Sequence, residues 1–286
     1  MAGLLGSTAS FTVYVAESPK TFDHNRLRRH GFTTTVDDNG LRSGWVGIGN
    51  AVDVDFAVGI DHGQFVAFSL REDSRKVSSA ALKLQLAEAL QQEERGGKPV
   101  SRDRKKELKE QITLKLLANA AWTPTLTDCL WDLDAGLLLV SASGKKAEAV
   151  LERLKETFGV SPEALTPGPM QDFFSRLVKG DVPHDGWTLA YAGAASLSQS
   201  DIEAAVTVTN AGDTLETALS EGLNIHKMLM TATKDNMQLE FALDATLAVS
   251  GLKLPKVEKG ADAAAAILLK ADTCSMAARL VKALSV

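Results

Sequence analysis

The sequence predicts an α+β fold in which mixed antiparallel sheets carry a helical hairpin. Three observations lead there. Alternating apolar runs come in groups instead of alternating strictly with helices, two helical stretches stand back to back around residues 96–99, and an alanine-rich helical pattern closes the chain. With 286 residues, 45% of them hydrophobic and 23% charged, the composition is that of a globular protein of one large or two modest domains.

Phe11, Val13 and Val15 alternate with Thr12 and Tyr14 and read as a first strand. Phe22–His30 reads as a short helix closed by Gly31. Gly44-Trp45-Val46-Gly47-Ile48-Gly49 lacks the GxGxxG spacing of a dinucleotide site and reads as a tight turn. Val52, Val54, Phe56, Val58 and Ile60 alternate as a second strand, and Asp61-His62-Gly63 turns it into a third through Val66, Phe68 and Leu70. From Val77 the period becomes helical. Leu82, Leu86, Ala89 and Leu90 mark one helix, Gly96-Gly97-Lys98-Pro99 breaks it, and Ser101 caps a second with Leu108, Ile112, Leu116 and Leu117.

Trp131–Gly136 reads as a turn into a strand over Leu137–Ala142, followed by a helix through Phe158 that Gly159 ends. Thr166-Pro167-Gly168-Pro169 is the clearest break. It separates residues 1–165, an α+β region containing the hairpin at 77–119, from residues 166–286, a second α+β region. In that second region a short helix spans Gln171–Lys179, strands lie near Trp187 and Val206–Val208, and a helix is expected over Asp213–Glu221. A hairpin then turns at Lys234-Asp235-Asn236, Thr246–Leu254 adds a strand, and Ala261–Leu284 forms the closing helix.

Cys129 and Cys274 stand far apart, which suits a reducing compartment better than a disulfide framework. Met1–Ser10 lacks the basic start of a signal peptide, and no apolar run approaches the roughly 20 residues of a membrane span. A cytoplasmic protein without membrane partners is expected.

Catalytic patterns are sparse. Ser143-Gly144-Lys145-Lys146 lacks the upstream glycine of a phosphate loop and the companion motifs of SxxK enzymes, so it reads as a helix start. The five histidines make no metal-ligand spacing, and no cofactor is expected. Asp53 with Asp55, and Asp132 with Asp134, would hold two metal ions for phosphodiester cleavage only if the fold united them. A binding protein is therefore expected, with a metal-dependent nuclease as the alternative.

Charge is segregated. Between Arg95 and Lys115, eight basic residues face three acidic ones, a local +5 in a chain of net charge −5. Ser196–Asp272 holds eleven acidic residues against six basic ones, and Arg26, Arg28 and Arg29 form a smaller basic group. The basic helix is either an electrostatic footprint for phosphates or a solvated face with i,i+4 pairs such as Lys106–Glu110. Trp122 follows it, placed either to stack on bases or to pack in the core.

Several segments resemble the recombination-associated RdgC family, in the same order. They are Gly44-Trp45-Val46, His62–Val66, Lys105–Ile112 with Leu116-Leu117, Trp131-Asp132, Ala135-Gly136-Leu137, Ala142–Glu148 and Glu221-Gly222. The resemblance implies the protomer of a ring-shaped homodimer whose positively lined hole passes duplex DNA without sequence preference. It also implies antagonism of a RecA-type recombinase and nucleoid association. A ring that has lost DNA binding and works through a protein partner is the other alternative. Where the family sets an aromatic beside several arginines, this chain has Trp122 followed by Thr123–Thr127. Where the family has a Lys-rich strand, it has Val206-Thr207-Val208. DNA contact is therefore expected to shift onto Arg102, Arg104, Lys105, Lys106, Lys109 and Lys115, with Trp122 beside them.

Overall fold

The structure, a computed structural model, describes residues 3–19, 22–38, 40–57, 59–95, 100–199, 202–209, 215, 217, 219, 222–257, 260 and 262–285. The first half runs β1 (Thr8–Val15), α1 (His24–Arg29), β2 (Arg42–Gly47), β3 (Asp61–His62), β4 (Phe65–Arg75), α2 (Ser79–Glu94), α3 (Arg102–Asn119), β5 (Trp122–Asp132) and β6 (Leu137–Val140). Then come α4 (Lys145–Phe158), β7 (Glu163–Ala164), α5 (Met170–Lys179), β8 (Val182–His184) and β9 (Trp187–Gln199). The last elements are β10 (Ile202–Thr209), β11 (Asn224–Lys234), β12 (Met237–Asp244), β13 (Val249–Lys253) and α6 (Ala263–Ala283). The α+β class and the helical hairpin are thus as the sequence predicts. The helix expected over Asp213–Glu221 lies largely outside the described residues.

The chain divides into two compact units. The first comprises residues 1–31, 45–70 and 126–286, and the second residues 32–44 and 71–125. Thr166–Pro169 lies inside the first unit, leading into α5.

In the first unit the strands are ordered β10-β9-β11-β12-β13-β1-β6-β5-β4-β2. β1 stands at the middle, antiparallel to β13 through Thr8↔Lys253 and to β6 through Tyr14↔Leu138. Side chains alternate across this sheet into two separate cores. Phe65, Ala67, Leu130, Leu137 and Leu139 enter the larger one with α5 and α6, while Val66, Phe68, Cys129, Trp131, Leu138 and Val140 enter the other with Ala147, Val150 and Leu154 of α4. A strand covered on both faces needs no polar alternation, which is why β6 reads Leu-Leu-Leu-Val.

The helix ends follow local chemistry. Gly159 closes α4 at φ 74°, Asp23 caps α1 and Asp262 caps α6. Gln171 of α5 bonds both backbone groups of Ile225, accepting from its N–H at 3.0 Å and donating to its carbonyl at 2.7 Å. This clamp falls where the β11–β9 register shifts. Next to it Phe174 is fully buried in the larger core. Phe174→Ala is expected to cost about 3–5 kcal/mol, read as a lower urea midpoint at unchanged slope.

Four sequence expectations change. The strand over Val52–Ile60 is instead a run of turns and bends among its described residues. Buried Asp53 accepts the Ala57 N–H at 2.9 Å, its carbonyl accepts the Gly47 N–H at 2.7 Å, and Phe56 adopts φ 56°. Apolar alternation here records a wrapped loop, so Val52 is left exposed. Gly44–Gly49 is only half a turn, because Trp45 and Val46 belong to β2 and the turn comes after Gly47. At Gly47 a Cβ would overlap Asp53 Oδ2. Gly31 does not take a left-handed cap. It bridges to Trp45, and a Cβ there would crowd the Arg28 carbonyl. The turn begins after Asp132, since Trp122–Asp132 is strand β5.

Candidate nucleic-acid interface

The second unit carries the hairpin. Ser101 accepts the Arg104 N–H at 3.2 Å and starts α3, with Asp103 in its first turn. Ser78 accepts the Ala81 N–H at 3.4 Å and starts α2, so both helices of the hairpin begin at a serine cap. Its helices bury little: no residue of α2 is buried and only Leu108 of α3 is.

Arg102, Lys105, Lys106 and Lys109 recur at i, i+3, i+4 and i+7 and so share one helix face. They line one wall of a groove of about 520 Å³, with Ser79, Leu82, Lys83 and Leu86 of α2 as the other. The leucines and the lysine stems make the floor, and the charged heads reach solvent. Among the described residues none of these five cations makes an ion pair.

The other expected residues lie elsewhere. Arg104 is held by Glu93 (Nη2–Oε1 2.6 Å, Nε–Oε1 2.9 Å) and Glu107 (Nη1–Oε2 3.1 Å), which spend its charge inside the hairpin. The Glu93 hydrogen bonds, then those of Glu107, hold this guanidinium above its already high range. Lys115 follows Lys106 by nine residues, which at about 100° per residue turns it to the opposite face. Trp122 begins β5 half-buried, with the guanidinium carbons of Arg42 and Arg75 at 3.9 and 4.3 Å from its ring centroid. The i,i+4 pairing of Lys106 with Glu110 is not formed. Sequence reasoning missed Lys83, Arg42 and Arg75. Lys83 shows only once α2 and α3 are paired, and the arginines only once β2, β4 and β5 are.

The acidic candidates separate too. Asp132 is buried, with Oδ1 accepting the Ala135 N–H at 2.9 Å and Oδ2 accepting Arg279 Nη2 at 2.7 Å and the Ser275 hydroxyl. Asp53 is tied into its loop, and Asp55 and Asp134 are exposed. Among the described residues no three His, Cys, Asp or Glu side chains come together to hold a metal ion. Nor is any described helix long and apolar enough to cross a membrane.

Residues 10–284 match the family model described as "Putative exonuclease, RdgC". A relative, the recombination-associated protein RdgC of Laribacter hongkongensis, is 39% identical over 102 residues. That match spans 34% of this chain and 33% of the relative's length. With the family model covering nearly its whole length, the chain belongs to the RdgC family.

Proposed function

We propose that this protein binds duplex DNA without sequence preference and acts in recombination, as a ring-shaped homodimer that restrains a RecA-type recombinase. One observation carries the DNA reading. Five cations, Lys83, Arg102, Lys105, Lys106 and Lys109, line one groove without an ion pair among the described residues, in a chain of net charge −5. Unpaired like charges along one groove repel one another, and a polyanion that lies along them relieves the repulsion while releasing its own counterions. Four of the five are on consecutive turns of one helix, which suits a repeating backbone better than a single small anion. Phosphate contacts position a protein without reading bases, so sequence preference is not expected. The role in recombination rests on family membership and on the relative's name; the ring and the nucleoid location rest on the family alone.

The test is fluorescence anisotropy on two unrelated labelled duplexes across a salt series, with Mg²⁺ present. The expected result is equal affinity for both, a steep fall with salt, and DNA that remains intact. Salt-insensitive binding, or none, defeats the reading, and cleaved DNA favours the nuclease alternative.

A further inference from the structure

We infer that Arg42, Arg75 and Trp122 form a second, separate phosphate site, in which the two guanidiniums grip a phosphodiester of duplex DNA and the indole holds them in place. This rests on the DNA reading above and adds residues from three strands, β2, β4 and β5, that the basic helix does not contain.

Three observations support it. Both guanidinium carbons stand over the Trp122 ring, at 3.9 and 4.3 Å from its centroid. The Nε of each arginine is buried and, among the described residues, without a hydrogen-bond partner. Among the described residues neither arginine has a carboxylate, and the polar contact Arg75 makes is from Nη1 to the Ala118 carbonyl at 3.3 Å.

The same unit shows how an arginine with a purely structural role is treated. Arg71 also stacks on an aromatic ring, with its guanidinium carbon 3.9 Å from the centroid of Phe32. Yet Asp73 binds it through two parallel bonds, Nε–Oδ1 and Nη2–Oδ2, each 2.7 Å. Its charge is cancelled and its fork is filled. Arg42 and Arg75 have the same kind of stacking without the carboxylate. Two uncancelled cations on one indole repel, and the ring's negative face offsets only part of that. An oxyanion bridging the pair removes the repulsion and meets the planar forks that suit phosphate geometry. A phosphodiester is the oxyanion of choice because the unit that holds this pair also holds the basic groove.

The arrangement also changes the part played by Trp122. Two guanidiniums over the indole take up ring surface that a stacked base would need, so the ring is assigned as a positioning group. Unpaired DNA should therefore gain nothing over duplex.

The experiment measures affinity against salt for the full chain on one mixed-sequence duplex and on its single strand. Arg42→Ala and Arg75→Ala should each weaken duplex binding about tenfold and flatten the log–log salt slope by about 0.9. Arg42→Lys should keep the slope and lose affinity, since the charge remains and the fork does not. Trp122→Leu should weaken duplex and single strand to the same degree. Arg71→Ala, whose charge is already paired, should leave the slope unchanged. Circular dichroism verifies each fold, and where an alanine variant fails it, the lysine variant decides. Arginine variants, alanine or lysine, that bind as wild type does overturn the site and leave the DNA reading standing. A selective loss of single-strand binding in Trp122→Leu also overturns it. A wild-type protein that leaves the duplex unbound overturns both.

Discussion

Replacing Lys105 and Lys106 together with alanine should lower the slope of log affinity against log salt by roughly two and weaken duplex binding on the order of thirtyfold near physiological salt. Both figures come from counterion release, with each lysine counted as one phosphate contact. Both side chains are exposed on the groove face of α3 and make no ion pair among the described residues, so their removal takes away charge and stem packing but breaks no ion pair within the hairpin. Alanine is the best helix former, and helicity should be kept. The loss should be equal on unrelated sequences, because phosphates carry no sequence code. Lys115→Ala supplies the internal comparison: the residue is on the opposite face of the same helix, and its removal should leave the slope nearly unchanged. Anisotropy across a salt series reads all of this. A double variant with wild-type affinity and slope would show that the stripe is only a solvated helix face.

Sequence legibility followed the range of the forces involved. The hairpin was readable because its determinants are local: leucines at helical spacing, a Gly-Gly-Lys-Pro break and the Ser101 cap. So was the β11–β12 hairpin, whose turn puts Asp235 at φ 52° between Lys234 and Met237. Strand β5 was missed because buried Asp128 interrupts its apolar pattern. That carboxylate accepts the Leu4 N–H at 2.9 Å and the Ser69 hydroxyl at 2.7 Å, partners from distant segments that one sequence does not reveal. Val52–Ile60 misled for the opposite reason. Its alternation resembles a strand, but the backbone bonds of Asp53 fold it into a loop. The basic stripe was legible as charge and as helical spacing. That Arg104 is neutralised was not, since Glu93 comes from the other helix. The arginines on Trp122 were beyond reach, because nothing local links positions 42, 75 and 122.

Asp132→Asn should destabilise the protein by about 2–4 kcal/mol at neutral pH and should flatten its loss of stability in acid. The carboxylate has no exposed side-chain surface, and Arg279, which bonds it, is about half exposed at 49%. Burial pushes its pKa up, but the Ser275 hydroxyl, then the Arg279 guanidinium and the Ala135 N–H, more than offset that, and the net shift is downward. A folded value below the unfolded one means the group binds its proton more readily in the unfolded chain. Its stabilisation is therefore complete above the unfolded value of about 4 and is lost as pH falls through the lower, folded value. Asparagine offers one acceptor where three donors converge and turns its amide hydrogens toward either Ala135 N–H or the Arg279 fork, so one side is left mismatched at every pH. The difference between wild type and variant in urea unfolding should accordingly be largest near pH 7 and shrink below pH 4. Arg279→Met should recover part of the loss in the Asp132→Asn background, since the unmatched guanidinium is then gone. A gap between wild type and Asp132→Asn that stays constant from pH 7 to pH 3 would show that the carboxylate's charge is not what joins β5 to α6.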